Sequence, residues 1–293
     1  MLTSDLGRLF RRGQGEDPLA SDSPEGLVLQ AGRIRELVLR AVCHAGAGHT
    51  GGSLSICEIL AALYFRLLRI DPANPSWPER DRFVLSKGHA SVALYAALAA
   101  RGYFAEGLLD EFDRLDGCLQ GHPDMLKTPG VDMSTGSLGQ GLSAGIGMAL
   151  AGHALGRGFH TYVLLGDGEL QEGQVWEAAM YAGFHAVGRL VAIVDYNKLQ
   201  LTGRTAETLD IEPLADKWRA FRWSVREVDG HNLNELEKDL AAVPFESGKP
   251  SLLVAHTIKG KGVAFMENLL AWHYKSPDGP QLERALRELG CEP

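Results

Sequence analysis

The sequence predicts an α/β fold, doubly wound, with a mainly parallel sheet and helices on both of its faces. Two observations carry this expectation. Short apolar runs alternate along the chain with longer segments whose apolar residues recur at helical spacing, the order expected of parallel strands joined by crossover helices. Within that alternation, Thr161 to Leu165 and Leu190 to Val194 have the character of buried strands. A glycine turn and a helical pattern over residues 172 to 187 join them into a βαβ unit.

The elements follow in order. Residues 1 to 25 mix Gly, Pro, Ser and charge and read as a flexible N-terminal arm; Leu6 to Arg12 could dock on a partner, but a frayed terminus is the favoured reading. The folded domain then spans residues 26 to 293. Leu27 to His44 and Ser53 to Leu68 carry helical patterns, the second with Ser53 as its N-cap and Asp71-Pro72 as its stop. Arg82 to Ser86 is a strand, and Gly88 to Ala100 an apolar helix. Residues 139 to 155 form a helix rich in Gly and Ala, whose small side chains let a neighbouring helix or a second chain come close. Trp223 to Val228 and Ser251 to His256 are strands on either side of a helix around Asn234 to Ala242. No internal repeat or low-complexity tract interrupts the pattern.

Composition bounds the function. A hydrophobic fraction of 45% in 293 residues is ample for a core. The balance of 29 Lys+Arg against 37 Asp+Glu gives a net charge of −8 without a basic block, which supports neither nucleic-acid nor anionic-membrane binding. No apolar stretch reaches the ~18 residues of a spanning helix, and Met1 to Glu25 lacks a signal-peptide apolar region, so a cytoplasmic location is expected. Cys43, Cys57, Cys118 and Cys291 are scattered without CxxC spacing, which argues against a zinc site or disulfide framework and fits a reducing compartment.

The segment Gly166-Asp167-Gly168-Glu169, with Asn197 thirty positions after Asp167, carries the chemistry. Alone, Gly-Asp-Gly is an ordinary turn. Here it ends one predicted strand while Asn197 follows the next, and in a parallel sheet both loops emerge on the edge where open α/β sheets bind ligands. Glycines let backbone approach a ligand, and a following helix N-terminus offers N–H groups to an anion. A carboxylate and an amide oxygen from adjacent loops suit hard Mg²⁺ or Ca²⁺, with phosphate oxygens completing the shell.

This segment resembles the thiamine diphosphate signature, and residues 27 to 275 resemble the N-terminal, diphosphate-binding part of a transketolase. The resemblance rests also on Gly48-His49-Thr50-Gly51-Gly52-Ser53, Asp81 to His89, Gly121-His122-Pro123, Thr135 to Gly141, Thr257 to Gly262 and Trp272-His273. It implies the thiamine diphosphate-binding fold, with Asp167, Asn197 and the Leu199 carbonyl on Mg²⁺ or Ca²⁺. It implies that Gly168, His89 and His273 hold the diphosphate with Lys259, and that Gly136, Leu138, Gly166 and Glu169 also border the cofactor. His89 and His273 would be diphosphate-side ligands and proton donors. His49 and His122 would contact the carbonyl or hydroxyls of a sugar substrate and move protons. All four histidines are therefore catalytic candidates, while the other six, including His231 in Asp229-Gly230-His231-Asn232, read as structural.

Three positions depart from the family pattern. Lys198 stands where a second Asn is common, and Thr50 and Ser137 stand where Pro is frequent, which alters loop stiffness. Glu172 and Glu177 read either as a solvated helical face or, by the resemblance, as acids near a subunit interface; Glu172 is expected at that interface and off the metal. Trp176 and Tyr181 are expected to pack.

Transketolases take the glutamate that activates the aminopyrimidine from a separate pyrimidine-binding domain, and this chain stops after the diphosphate-binding one. The resemblance thus implies one subunit of a split transketolase, paired with a C-terminal subunit in an α2β2 assembly and transferring a two-carbon ketol unit from a ketose to an aldose. Two alternatives stay open: the α subunit of a 2-oxo acid decarboxylase or of a two-carbon transferase feeding a carrier protein, and a non-catalytic cofactor-binding subunit.

Overall fold

Five strands form one parallel sheet in the computed structural model, which describes residues 24–292. They are β1 (Arg82–Leu85), β2 (Thr161–Gly166), β3 (Leu190–Tyr196), β6 (Ser224–Asp229) and β7 (Ser251–His256), in the spatial order β1-β2-β3-β7-β6. A separate two-stranded hairpin, β4 (Leu199–Gln200) with β5 (Gly203–Arg204), follows β3. The predicted arm falls largely on residues 1 to 23, outside the described residues; Pro24 already opens the first helix.

Side-chain alternation along the strands separates two cores. Phe83, Leu85, Tyr162, Leu164, Val191, Ile193, Leu253 and Ala255 point to one face. There they meet α1 (Pro24–Ala45), α3 (Cys57–Ala62), α4 (Ser91–Arg101) and α9 (Leu233–Ala241), with the short α2 (Thr50–Leu54) lying between α1 and α3 in the chain. Val84, Val163, Leu165, Ala192, Val194, Leu252 and Val254 point to the other. That face is covered by α5 (Gln140–Ala154), α6 (Gly173–Phe184) and α8 (Leu214–Ala220). The doubly wound expectation is met. A short α7 (Thr205–Thr208) and a C-terminal α10 (Gly279–Glu288) complete the helices; α10 starts on a capping box between Asp278 and Gln281.

One stretch differs from expectation. Residues 53 to 68 are not one helix capped by Ser53: α2 and α3 are separate, and residues 63 to 67 widen into a π-type turn. Ser53 lies inside α2, where its hydroxyl donates to the His49 carbonyl at 2.8 Å, the back-bond of an interior serine. The sheet register then aligns the site. Gly166 pairs with Asp195 and Tyr196 with His256, so Asp167, Asn197 and Thr257 leave the C-terminal edges of adjacent strands together. Among the described residues, no helix is long and apolar enough to cross a membrane.

Candidate active site

A cavity of about 360 Å³ opens at that edge, lined by His49, His89, Gly136, Leu138, Asp167, Asn197, Leu199, Lys259 and His273 among others. Of the predicted catalytic, cofactor-binding and metal-binding residues, His122 alone is off this lining. It sits exposed at the rim, its ring packed over Gly136, where an added Cβ would come within 3.0 Å of His122 Cδ2. His49, His89 and His273 form a cluster with ring centroids 4.9, 5.6 and 5.7 Å apart. His49 is fixed from both sides: its backbone bridges Lys275, and Thr50 Oγ1 donates to the Lys275 carbonyl at 2.6 Å. That bond ties down a loop which lacks the family's frequent proline.

The wall beneath is charged and buried. Lys87 donates to the Gly52 carbonyl at 2.8 Å and pairs with Asp195 at 2.5 Å, both side chains almost fully buried. Lys259 donates to the Leu199 carbonyl at 2.9 Å. Its stem passes over Gly51, where a Cβ would lie 3.0 Å from Lys259 Cγ and 2.8 Å from the Trp272 carbonyl oxygen.

Burial drives His49 down to about 4 and His273 down to about 3, and the positive charges of Lys259 and Lys87 push the same way. His89 is held well below the usual imidazole range by burial and then by Lys87. Burial, with Lys87 beside it, also brings Lys259 down to about 8. Desolvation of Asp195 opposes its ionisation, but the charge and hydrogen bond of Lys87 outweigh it and hold that carboxylate below its ordinary value.

Asp167 is 2% exposed and accepts the Gly168 N–H at 2.8 Å and the Lys198 N–H. Burial, and then the charge of Asp195, raise it to about 7. Lys198 adopts φ +66°, the left-handed region that Asn tolerates better, so the family's Asn has a backbone reason and Lys fills the position with some strain.

These residues fit a metal-bound diphosphate. A buried carboxylate with free lone pairs, the Asn197 amide oxygen and the Leu199 carbonyl are all-oxygen donors of the kind hard divalent cations take. Across from them, His273 Nδ1 is buried with no hydrogen-bond partner. Three imidazoles and two lysines around one cavity form a concentration of donors that an anion would complete.

Two expectations change in detail. The backbone after Asp167 makes a 3-10 turn over Gly168–Gln171, so the glycine turn does not lead directly into a helix; α6 begins at Gly173, where the helical pattern puts it. The cause is Glu169, whose buried carboxylate accepts from Gly166 N at 3.0 Å, Gly139 N at 2.9 Å and the Ser86 hydroxyl. Gly166 and Glu169 are thus bonded to each other and shape the wall of the cavity they line. Glu172 borders the cavity, exposed, at the start of α6. Trp176 packs on Trp218 and donates to the Leu170 carbonyl, as expected of a packing residue, whereas Tyr181 is exposed beside His185.

Sequence reasoning does not single out Lys87 and Asp195. A signal for them exists: Asp195 is the one charged residue in the apolar strand Leu190–Tyr196, and a charge in a buried strand needs a partner.

The transketolase, thiamine diphosphate binding domain family matches residues 28–293. The 6-deoxy-6-sulfo-D-fructose transketolase subunit SqwG of Clostridium sp. (strain MSTE9) is 53% identical, the match covering 90% of this chain and 96% of that one. An apulose-4-phosphate transketolase subunit of Phocaeicola vulgatus is 42% identical over 90% of this chain and 94% of its own length. The solved transketolase of Campylobacter jejuni superposes with a TM-score of 0.86 at 32% identity, covering 91% of this chain but 43% of that enzyme. The chain therefore spans less than half of a single-chain transketolase and nearly all of the subunit-sized relatives. This chain belongs to the transketolase family, as its thiamine diphosphate-binding domain.

Proposed function

We propose that this chain is the diphosphate-binding subunit of a two-chain transketolase that transfers a two-carbon ketol unit from a ketose to an aldose. The observation that carries the proposal is the cavity itself, in which three neutral imidazoles and two buried lysines face a buried carboxylate. Asp167, Asn197 and the Leu199 carbonyl would hold Mg²⁺, or Ca²⁺ in its place. Gly168, His89, His273 and Lys259 would hold the diphosphate, with Gly136 and Leu138 bordering the rest of the cofactor. Bound there, thiamine diphosphate supplies the electron sink for cleaving and forming a carbon–carbon bond beside a carbonyl.

The protein's own part is binding and proton traffic. His49, uncharged near neutral pH, can accept a proton from a substrate hydroxyl or pass one to a carbonyl oxygen. His122, exposed at the rim over Gly136, would meet the same substrate from the solvent side. The names of the relatives point to ketoses with an anionic group, sulfonate or phosphate, at the far end.

The partner is a C-terminal transketolase subunit that brings the pyrimidine-binding domain and most contacts to that anionic end. Two copies of each chain would assemble across α5, Glu172 and α6. Met180, Tyr181 and Phe184, exposed on α6 at 54%, 45% and 67%, suit that role. Four free thiols fit the cytoplasm. Co-expression with the partner, followed by mass spectrometry of products from a panel of ketose donors and aldehyde acceptors, tests this reading. Ketol-transfer products dependent on thiamine diphosphate support it, and their absence from a complex with bound cofactor overturns it.

A further inference from the structure

A buried ionic network behind the cavity joins three elements. Arg35 on α1 and Glu58 on α3 form a buried ion pair, 7% exposed each. Glu58 also meets His231 Nδ1 at 3.1 Å, in the turn between β6 and α9. On the far side of the ring, His231 Nε2 receives the backbone N–H of Ile258 at 2.8 Å. An N–H donated to Nε2 requires a lone pair there, which leaves the ring's N–H on Nδ1, directed at Glu58. Arg35 closes the circuit: its Nε donates to the Lys261 carbonyl at 3.0 Å.

The two backbone contacts of this network, at Ile258 and Lys261, straddle Lys259. Lysine places its ammonium at the end of a flexible stem, so the position of that charge depends on how firmly the backbone beneath it is held. Further bonds hold the same loop, among them those from Gly260 N to the Gly51 carbonyl at 2.9 Å and from Asn268 N to the Lys259 carbonyl at 2.8 Å. The network differs from these in reaching the loop through side chains of three separate elements.

We propose that Arg35, Glu58 and His231 form a positioning relay that sets the Lys259 ammonium for the diphosphate end of the cofactor. His231 and Arg35 are its direct contacts to the loop, and His231 is a positioning residue, not a catalytic one. The proposal rests on the reading of Lys259 as a diphosphate-side cation, and its test separates the two.

The full chain is titrated calorimetrically with inorganic pyrophosphate and Mg²⁺, as wild type and as His231→Ala, His231→Gln, His231→Asn, Lys259→Met and the Lys259→Met/His231→Ala pair. Circular dichroism reports folding. His231→Ala is expected to weaken pyrophosphate binding about tenfold, at the low end of what losing an orienting partner costs a ligand. His231→Gln, which can still accept the Ile258 N–H, should bind within about twofold of wild type, and His231→Asn, which keeps only the Glu58 side, should resemble Ala. In the Lys259→Met background His231→Ala should change affinity by less than about twofold, because a relay acting through Lys259 has nothing left to position.

Failure of the wild type to bind pyrophosphate overturns the diphosphate reading and the relay together. Binding by the wild type that His231→Ala leaves unchanged, or an undiminished loss in the Lys259→Met background, overturns the relay alone. Should His231→Ala fail to fold, the Gln and Asn variants decide: equal affinities in the two contradict the proposal.

Discussion

Asp195 orients Asn197. The Asn197 Nδ2 donates to Asp195 Oδ2 at 2.9 Å, which turns the amide oxygen away from the lysine–carboxylate pair and toward the Leu199 N–H at 3.1 Å. The same carboxylate accepts from Lys87, Ser55 and Thr257. One buried residue therefore compensates a lysine and sets which way a candidate metal ligand faces.

Asp195→Ala would leave Lys87 buried without its counter-charge. We expect a loss of about 3–5 kcal/mol in unfolding free energy, typical of removing one partner from a buried pair. Urea denaturation of the full chain checks this, and a loss below about 1 kcal/mol, the scale of an exposed pair, would contradict the role given to this one.

Asp167→Asn and Asn197→Ala act on loop ligands and not on packing. Both variants should stay folded and lose Mg²⁺-dependent binding of thiamine diphosphate to the assembled enzyme. Calorimetric titration of that complex decides, and undiminished affinity in both variants removes the metal assignment.

His122→Ala should lower turnover by about 10²–10⁴-fold, the range for losing a positioned acid–base group. Cofactor affinity should barely change, since His122 lies at the rim outside the cavity lining. Near-normal turnover with a ketose donor would return this residue to a structural role.

His49 and His273 make the free protein sensitive to acid. Their pKa values in the fold, about 4 and about 3, lie below the ordinary imidazole value of 6.5. The unfolded chain therefore binds more protons than the native one in between, and the stability these groups contribute is present above pH 6.5 and lost as pH falls toward 3–4. The melting temperature of the His49→Asn/His273→Asn variant should fall less steeply than wild type over that window. Parallel curves would contradict the neutral state assigned to both rings.

Much of this molecule is legible in its sequence, and the reason is local. Strands buried on both faces read as continuous apolar runs, which is why Thr161–Gly166 and Leu190–Tyr196 stand out. Glycine-bounded motifs identify the loops that line the cavity. The region after His49 misleads because Ser53 has the residue type of a cap but bonds backward inside a helix, a choice made by tertiary packing. Helix α8 escapes a reading of pattern although it buries Trp218, and so does α10 despite its Asp278–Gln281 capping box. The Lys87–Asp195 pair spans 108 positions, and no periodicity connects residues so far apart.

The central proposal is that this cavity becomes a transketolase site only with a second chain. The most direct measurement is the rate of thiamine diphosphate-dependent ketol transfer by the purified chain, by its partner and by the two mixed, all free of host transketolase. No transfer is expected from either chain alone, and the mixture should show transfer that Asp167→Asn abolishes. Ketol transfer by this chain alone would contradict the claim.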